Sequence, residues 1–89
     1  MKIVWTLSAN ADRKKIREYI ALDNPIAALT IDELISQKAK LLVEHPNTGR
    51  RGRIVGTREL VIHRHYVLVY DIKNESVRIL RVLHAARQY

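Results

Sequence analysis

The sequence predicts an α+β domain with the element order β-α-α-β-β-β, a helical hairpin packed on one face of a small twisted antiparallel sheet. Three observations carry this expectation. Apolar residues recur at helical spacing between Ile16 and Leu42, short β-branched runs replace them from Arg58 onward, and all three glycines fall in the interval between, at 49, 52 and 56. With 89 residues the chain has room for a single domain, 1–89, and a thin core.

Each element has a local reason. Lys2 to Leu7 is short, β-branched and roughly alternating, which reads as a strand. Ser8 or Asn10 can cap a helix whose apolar positions Ile16, Tyr19 and Ile20 stand at i, i+3 and i+4, ending near Asp23. Asn24-Pro25 then supplies a cap and a proline at the first helical position, where the missing N–H removes no hydrogen bond. The second helix carries a stripe of Ala27, Ile31, Leu34, Ile35, Leu41 and Leu42, with the Lys38 stem along its edge, while Asp32, Glu33, Ser36 and Lys40 are expected to face water. His45-Pro46 stops it, because proline disfavours helical φ/ψ in its predecessor. Asn47 to Thr57 must be a loop or irregular edge. Strands are expected over Arg58–His63, His65–Lys73 and Ser76–His84, with turns at Arg64 and Asn74. The last two are apolar on both faces and read as interior strands of an antiparallel meander. A sheet covered on one side leaves its other face available for function.

Composition narrows the function. The absence of cysteine removes disulfides, thiolate metal sites and cysteine nucleophiles, and suits a reducing compartment, so the cytoplasm is expected. No apolar run approaches the roughly 20 residues that span a bilayer. The net charge of +7 is unevenly placed: residues 1–45 hold seven basic against six acidic residues, residues 46–89 nine against three. Eight of those nine are arginines, whose planar fork matches phosphate or carboxylate. An anionic partner is implied, nucleic acid or acidic protein, against the plainer alternative of a solubilising surface.

Within that half, Gly49-Arg50-Arg51-Gly52-Arg53 lacks the spacing and the Lys-Ser/Thr of a nucleotide loop. It reads either as an electrostatic finger or as a solvated turn. His45, His63, His65 and His84 show no metal-ligand spacing, so neither a metal nor a cofactor is expected. His84, at the end of the last strand, is a candidate general base. Arg81 or Arg58 would stabilise a pentacoordinate phosphate and Tyr89 would donate a proton, a set sufficient for RNA cleavage through the 2′-hydroxyl. A structural histidine is the competing explanation. Trp5, Tyr19, Tyr66 and Tyr70 sit in apolar runs and are expected in the core, leaving Tyr89 as the aromatic with a claim to exposure.

The run from Gly49 through Val61 (GRRGRIVGTRELV), the run His65–Tyr70 (HYVLVY) and the run Ile79–Tyr89 (ILRVLHAARQY) resemble the RelE/ParE superfamily of toxins from type II toxin–antitoxin modules. Trp5-Thr6, Tyr19-Ile20 and Asp23-Asn24-Pro25 extend the resemblance over the whole chain. It implies a toxin that inhibits bacterial growth, held inactive by a cognate antitoxin with an acidic or amphipathic C-terminal segment, in modules that maintain plasmids or respond to stress. Operator DNA would be reached only through the antitoxin. The superfamily has two mechanisms. RelE-like members are ribosome-dependent mRNA endonucleases, and ParE-like members poison DNA gyrase. Val67 and Ala85 stand where the resemblance to nuclease members leads one to expect catalytic arginines, whereas Arg58 and His84 are near nuclease-like positions. The wording GTRELV and LHAARQY is closer to the ParE-like branch. Arg50, Arg51, Arg53, Arg58, Arg81 and Arg87 are the candidates for binding target, antitoxin or nucleic acid.

Overall fold

A four-residue β-branched run, two amphipathic stretches and a block of β-rich segments assemble as two helices on a five-stranded mixed sheet. The computed structural model describes residues 1–63 and 65–85. In chain order the elements are β1 (Lys2–Trp5), α1 (Leu7–Ala21), α2 (Pro25–Glu44), β2 (Arg50–Arg51), β3 (Arg58–His63), β4 (Tyr66–Lys73) and β5 (Ser76–His84). The expected turn residue Arg64 lies outside the described residues.

The α+β class and the helical hairpin are as expected, and three local features differ. First, α1 starts earlier than Ser8 or Asn10 would allow, because Thr6 is its cap. The Thr6 Oγ1 accepts the Ala9 N–H at 3.1 Å, and the hydroxyl lies 2.9 Å from the Ile79 carbonyl and 3.0 Å from that of Leu80. One residue thus caps the helix and ties the strand–helix corner to β5, and Leu7 falls in the first turn, exposed. Second, a two-residue strand, β2, forms inside the expected loop. Third, the sheet is mixed. Its order is β1-β5-β4-β3-β2, with β1 parallel to β5 (Ile3 opposite Val77, Trp5 opposite Ile79) and every other pair antiparallel. The helical hairpin serves as the crossover that a parallel pair requires.

The second helix begins as its sequence dictates, with Asn24 Oδ1 accepting the Ala27 N–H at 3.1 Å and Pro25 in the first turn. Its buried residues are Ala28, Ile35, Ala39 and Leu42, of which the last three meet Ala9, Ile62, Tyr66, Leu68, Tyr70, Val77, Ile79 and Val82 in one core. Three side chains depart from expectation. Tyr19 of α1 is 67% exposed and Leu41 of α2 half exposed. Asp32, expected in water, is half-buried: it receives Arg13 Nε at 3.0 Å and Arg17 Nη1 at 3.1 Å and clamps α1 to α2. Arg13 also lies over the Trp5 ring, 4.6 Å from its centroid.

Both interior strands are where the apolar runs put them. In β4, Tyr66, Leu68 and Tyr70 belong to the helix-facing core, while Val67 and Val69 on the other face are buried too, Val67 between Val61 and Leu83 in the register and Val69 between Glu59 and Arg81. The face away from the helices is therefore closed at its centre rather than open. Asn74 and Glu75, at φ +53° and +59°, form the two-residue loop between paired Lys73 and Ser76. Two positive φ values are what the type I′ hairpin geometry demands.

Candidate functional site

The glycine–arginine segment is a built structure. The Tyr70 hydroxyl, fully buried in the core, donates to the Pro46 carbonyl at 2.7 Å and accepts the Gly49 N–H at 2.9 Å. Burial pushes this phenol's pKa above its ordinary value, against the opposing effects of the Gly49 N–H and the nearby Arg58. Glycine is required at 49, since a Cβ there would come 2.6 Å from the Tyr70 oxygen and 2.9 Å from the Glu59 carbonyl. Arg58 Nη1 donates to the Gly49 carbonyl at 2.8 Å and to that of Asn47 at 3.4 Å, pinning the other side of the loop. Beyond β2 the chain turns over Ile54–Thr57. The Thr57 N–H reaches the Ile54 carbonyl at 3.1 Å, the Thr57 hydroxyl reaches the same oxygen at 2.7 Å, and Gly56 takes φ +86°. A left-handed third residue is the mark of a type II turn.

Among the described residues, the candidate arginines do not gather in one uncovered patch. Arg50 pairs with Glu59, whose carboxylate is only 5% exposed and also accepts the Arg53 N–H at 3.3 Å. Arg81 sits on the opposite side of the sheet order and grips Asp12 of α1 through Nε at 2.7 Å and Nη2 at 3.1 Å. That hydrogen bond holds the Arg81 guanidinium more firmly protonated than usual. Asp12 also accepts the Val82 N–H at 2.9 Å, so it seals the stretch of β5 that β1 is too short to cover. Arg78 is bound to Asp71 on the neighbouring strand. Charge that the sequence concentrates in one half is thus partly spent on acidic residues from both halves. What gathers in space is the loop: Arg51, Arg53 and Arg58 line an open depression of about 690 Å³ beside Val55 and Thr57. Arg87 and Tyr89 lie outside the described residues.

At the other end of the sheet the histidines are closer than their spacing suggests. The His65 ring stacks on that of His84 with centroids 5.6 Å apart, His63 lies 5.8 Å from His65, and Tyr66 meets His84 edge-on at 5.3 Å. His63 Nδ1 is buried and has no hydrogen-bond partner among the described residues. No group of three potential ligands converges for a metal ion among the described residues. His45 is remote, at the C-terminal cap of α2. Sequence reasoning missed the His63–His65–His84 group, since only the β3–β4 turn and the β4–β5 register bring it together. Among the described residues, the candidate arginines do not converge on His84. Arg58 pairs with Tyr70 and His84 with Tyr66, four positions apart along β4, which is about 13 Å. Arg81, nearer in sequence, is committed to Asp12.

A helical hairpin crossing over to make the parallel edge of a small sheet is a fold this chain shares with small bacterial toxins in solved structures. A chain in the structure of the chromosomal ParDE toxin–antitoxin system from P. aeruginosa matches with a TM-score of 0.83 at 30% identity over 94% of this chain and 95% of that one. The YoeB/ParE toxin of Agrobacterium tumefaciens shares the fold with a TM-score of 0.69 at 20% identity, the whole of each chain being covered. In sequence, toxin RelE2 of Caulobacter vibrioides is 38% identical over 86 residues, 97% of both chains. The family model described as ParE toxin of the type II toxin–antitoxin system, parDE, matches residues 3–89. The chain belongs to this family, within the RelE/ParE superfamily, and a cognate antitoxin is its partner. No described helix is long and apolar enough to cross a membrane.

Proposed function

We propose that the chain is a single toxin domain that arrests growth by binding DNA gyrase in the bacterial cytoplasm, through protein contact rather than chemistry of its own. The observation that supports this reading is that, among the described residues, the cationic groups a nuclease would need stand apart from His84. Cleavage through the 2′-hydroxyl requires a base and a cationic group on the same phosphate, each such group supplying about 3 kcal/mol. Here Arg58 stands about 13 Å from His84 along β4, and Arg81 is turned to Asp12. Arg50, Arg51 and Arg53 instead stand at one sheet edge, suited to contact with a target or with the antitoxin. With purified gyrase, added toxin should lower the supercoiling rate in proportion to its concentration; unchanged supercoiling at large molar excess would refute the reading.

A second reading, a metal-independent and ribosome-dependent mRNA endonuclease, is favoured by one feature: His65, Tyr66 and His84 lie in ring contact at an accessible strand end. Primer extension on a translated message separates the two. Cuts made by the native chain and lost in His84→Ala would establish the enzyme, and a message left intact by both would exclude it.

A further inference from the structure

The strands β2 and β3 form a short antiparallel ribbon, Arg50 opposite Glu59 and Arg51 opposite Arg58, that ends in an apolar point. At that point Val55 is 99% exposed and its neighbour Ile54 is 56% exposed. A connection that only had to join two strands would favour polar turn residues there. The ribbon is held in one shape, since the Gly52 N–H reaches the Thr57 carbonyl at 2.8 Å and a side chain at 52 would collide with the Thr57 hydroxyl. Cationic groups flank the point: Arg51, Arg53 and Arg58 line the depression beside Val55. Between Asn47 and Glu59 the one acidic residue is Glu59, which is buried and engaged by Arg50 and the Arg53 N–H, so this segment turns no carboxylate toward an incoming anion. Arg51 is exposed and makes no ion pair among the described residues, and Arg58 is oriented by its bonds to the Gly49 and Asn47 carbonyls. Among the described residues no aromatic side chain lines the depression, which leaves single-stranded bases no surface on which to stack.

We propose that this ribbon binds double-stranded DNA directly and without regard to sequence, with Arg51 and Arg58 on backbone phosphates and the Val55–Ile54 point set against a base step as a wedge. The phosphate contacts position the ribbon, and the apolar point partly unstacks the step and bends the duplex. A duplex offers both requirements in one object: rails of phosphate and, between them, an apolar base stack that opens at deformable steps. Reading DNA with a two-stranded ribbon needs no recognition helix. A rigid ribbon with oriented guanidiniums also loses little freedom on binding. Gyrase itself acts on DNA, so a toxin docked there meets this ligand, but binding through the ribbon requires no gyrase.

Fluorescence anisotropy on the intact chain tests it with labelled probes: a fully paired duplex of about 20 base pairs, the same duplex with a central mismatch, the matching single strand, and polyglutamate of about 20 residues, an anion without a base stack. The mismatched duplex, whose step is already loosened, should bind about fivefold more tightly than the paired one, and the paired one about fivefold more tightly than the single strand or polyglutamate. Val55→Ser should abolish the preference for the mismatch and keep the dependence on salt. Arg51→Ala should make the slope of log K against log salt shallower by about 0.9, the release of about one counterion, and Arg51→Lys should restore it. Lys40→Ala, which removes an exposed charge from α2, should change neither. Equal changes of slope in Arg51→Ala and Lys40→Ala would show diffuse attraction and overturn the proposal, as would a mismatch preference that survives Val55→Ser. Single strand or polyglutamate bound as tightly as the duplex would overturn it too and assign the arginines to that ligand. A toxin that leaves gyrase untouched yet binds duplex in this way would refute the target and retain the DNA site.

Discussion

Tyr70→Phe removes one oxygen atom and, with it, both bonds that fasten the arginine loop to the core. The hydroxyl is fully buried, accepts the Gly49 N–H at 2.9 Å and donates to the Pro46 carbonyl at 2.7 Å. In the variant the buried Gly49 N–H has no acceptor, a loss of about 1–3 kcal/mol, whereas the half-exposed Pro46 carbonyl can turn to water and adds less. A net cost of about 2 kcal/mol follows, a large share of the roughly 5–10 kcal/mol that holds a domain of this size together. Urea unfolding of native and variant chains should show that loss with an unchanged slope, and the melting temperature should fall by about 8–16 °C. Trypsin should also cut faster at Arg50, Arg51 and Arg53, since the loop opens at lower free energy than the sheet. A change below about 0.5 kcal/mol would mean that the hydroxyl does not anchor the loop.

Glu75 occupies φ +59° in the β4–β5 turn, a conformation that disfavours any residue with a Cβ, so Glu75→Gly, giving the preferred Asn-Gly pair, should stabilise the chain by about 0.5–1 kcal/mol in the same unfolding assay. Burial raises the Asp32 carboxyl, but the guanidiniums of Arg13 and Arg17 more than offset this and hold it below its ordinary 3.8. Its contribution is therefore complete above about pH 4 and lost as pH falls further; Asp32→Asn should cost about 1 kcal/mol at pH 7 and almost nothing near pH 2, as read from unfolding midpoints across pH. Tyr70 has the opposite sign: its raised pKa leaves stability intact below its ordinary 10.0 and removes it as pH climbs past that value. The alkaline loss of stability should be shallower in Tyr70→Phe, monitored by circular dichroism, and equal slopes would contradict the buried phenol.

Local chemistry made most of the fold readable. Asn24-Pro25 marks the second helix to the residue, and the two-faced apolar runs of Tyr66–Lys73 and Ser76–His84 identify the interior strands, because caps and periodicity act within a few residues. What escaped reading depends on partners distant in the chain. β1 lies parallel to a strand more than seventy residues away, Thr6 outcompetes Ser8 as a cap because its hydroxyl also meets the β5 carbonyls at 79 and 80, and Asp32 is withdrawn from water by two arginines on another helix. The site divided in the same way. The glycine–arginine loop was visible as composition, but its anchoring by Tyr70 and the pairing of Arg50, Arg78 and Arg81 with acidic residues were not, since each joins segments that periodicity treats separately. The apolar pair Ile54-Val55 inside a polar, glycine-rich stretch was the available signal for the loop's exposed tip.

The account turns on growth arrest through gyrase rather than through message cleavage, and plasmid topology in living cells reports on it directly. After induction of the toxin without its antitoxin, reporter plasmid resolved on chloroquine gels should lose negative supercoils before growth stops, equally for the native chain and for His84→Ala, while primer extension shows intact transcripts. Plasmid that keeps its supercoiling while transcripts are cut, with cutting abolished by His84→Ala, would contradict it.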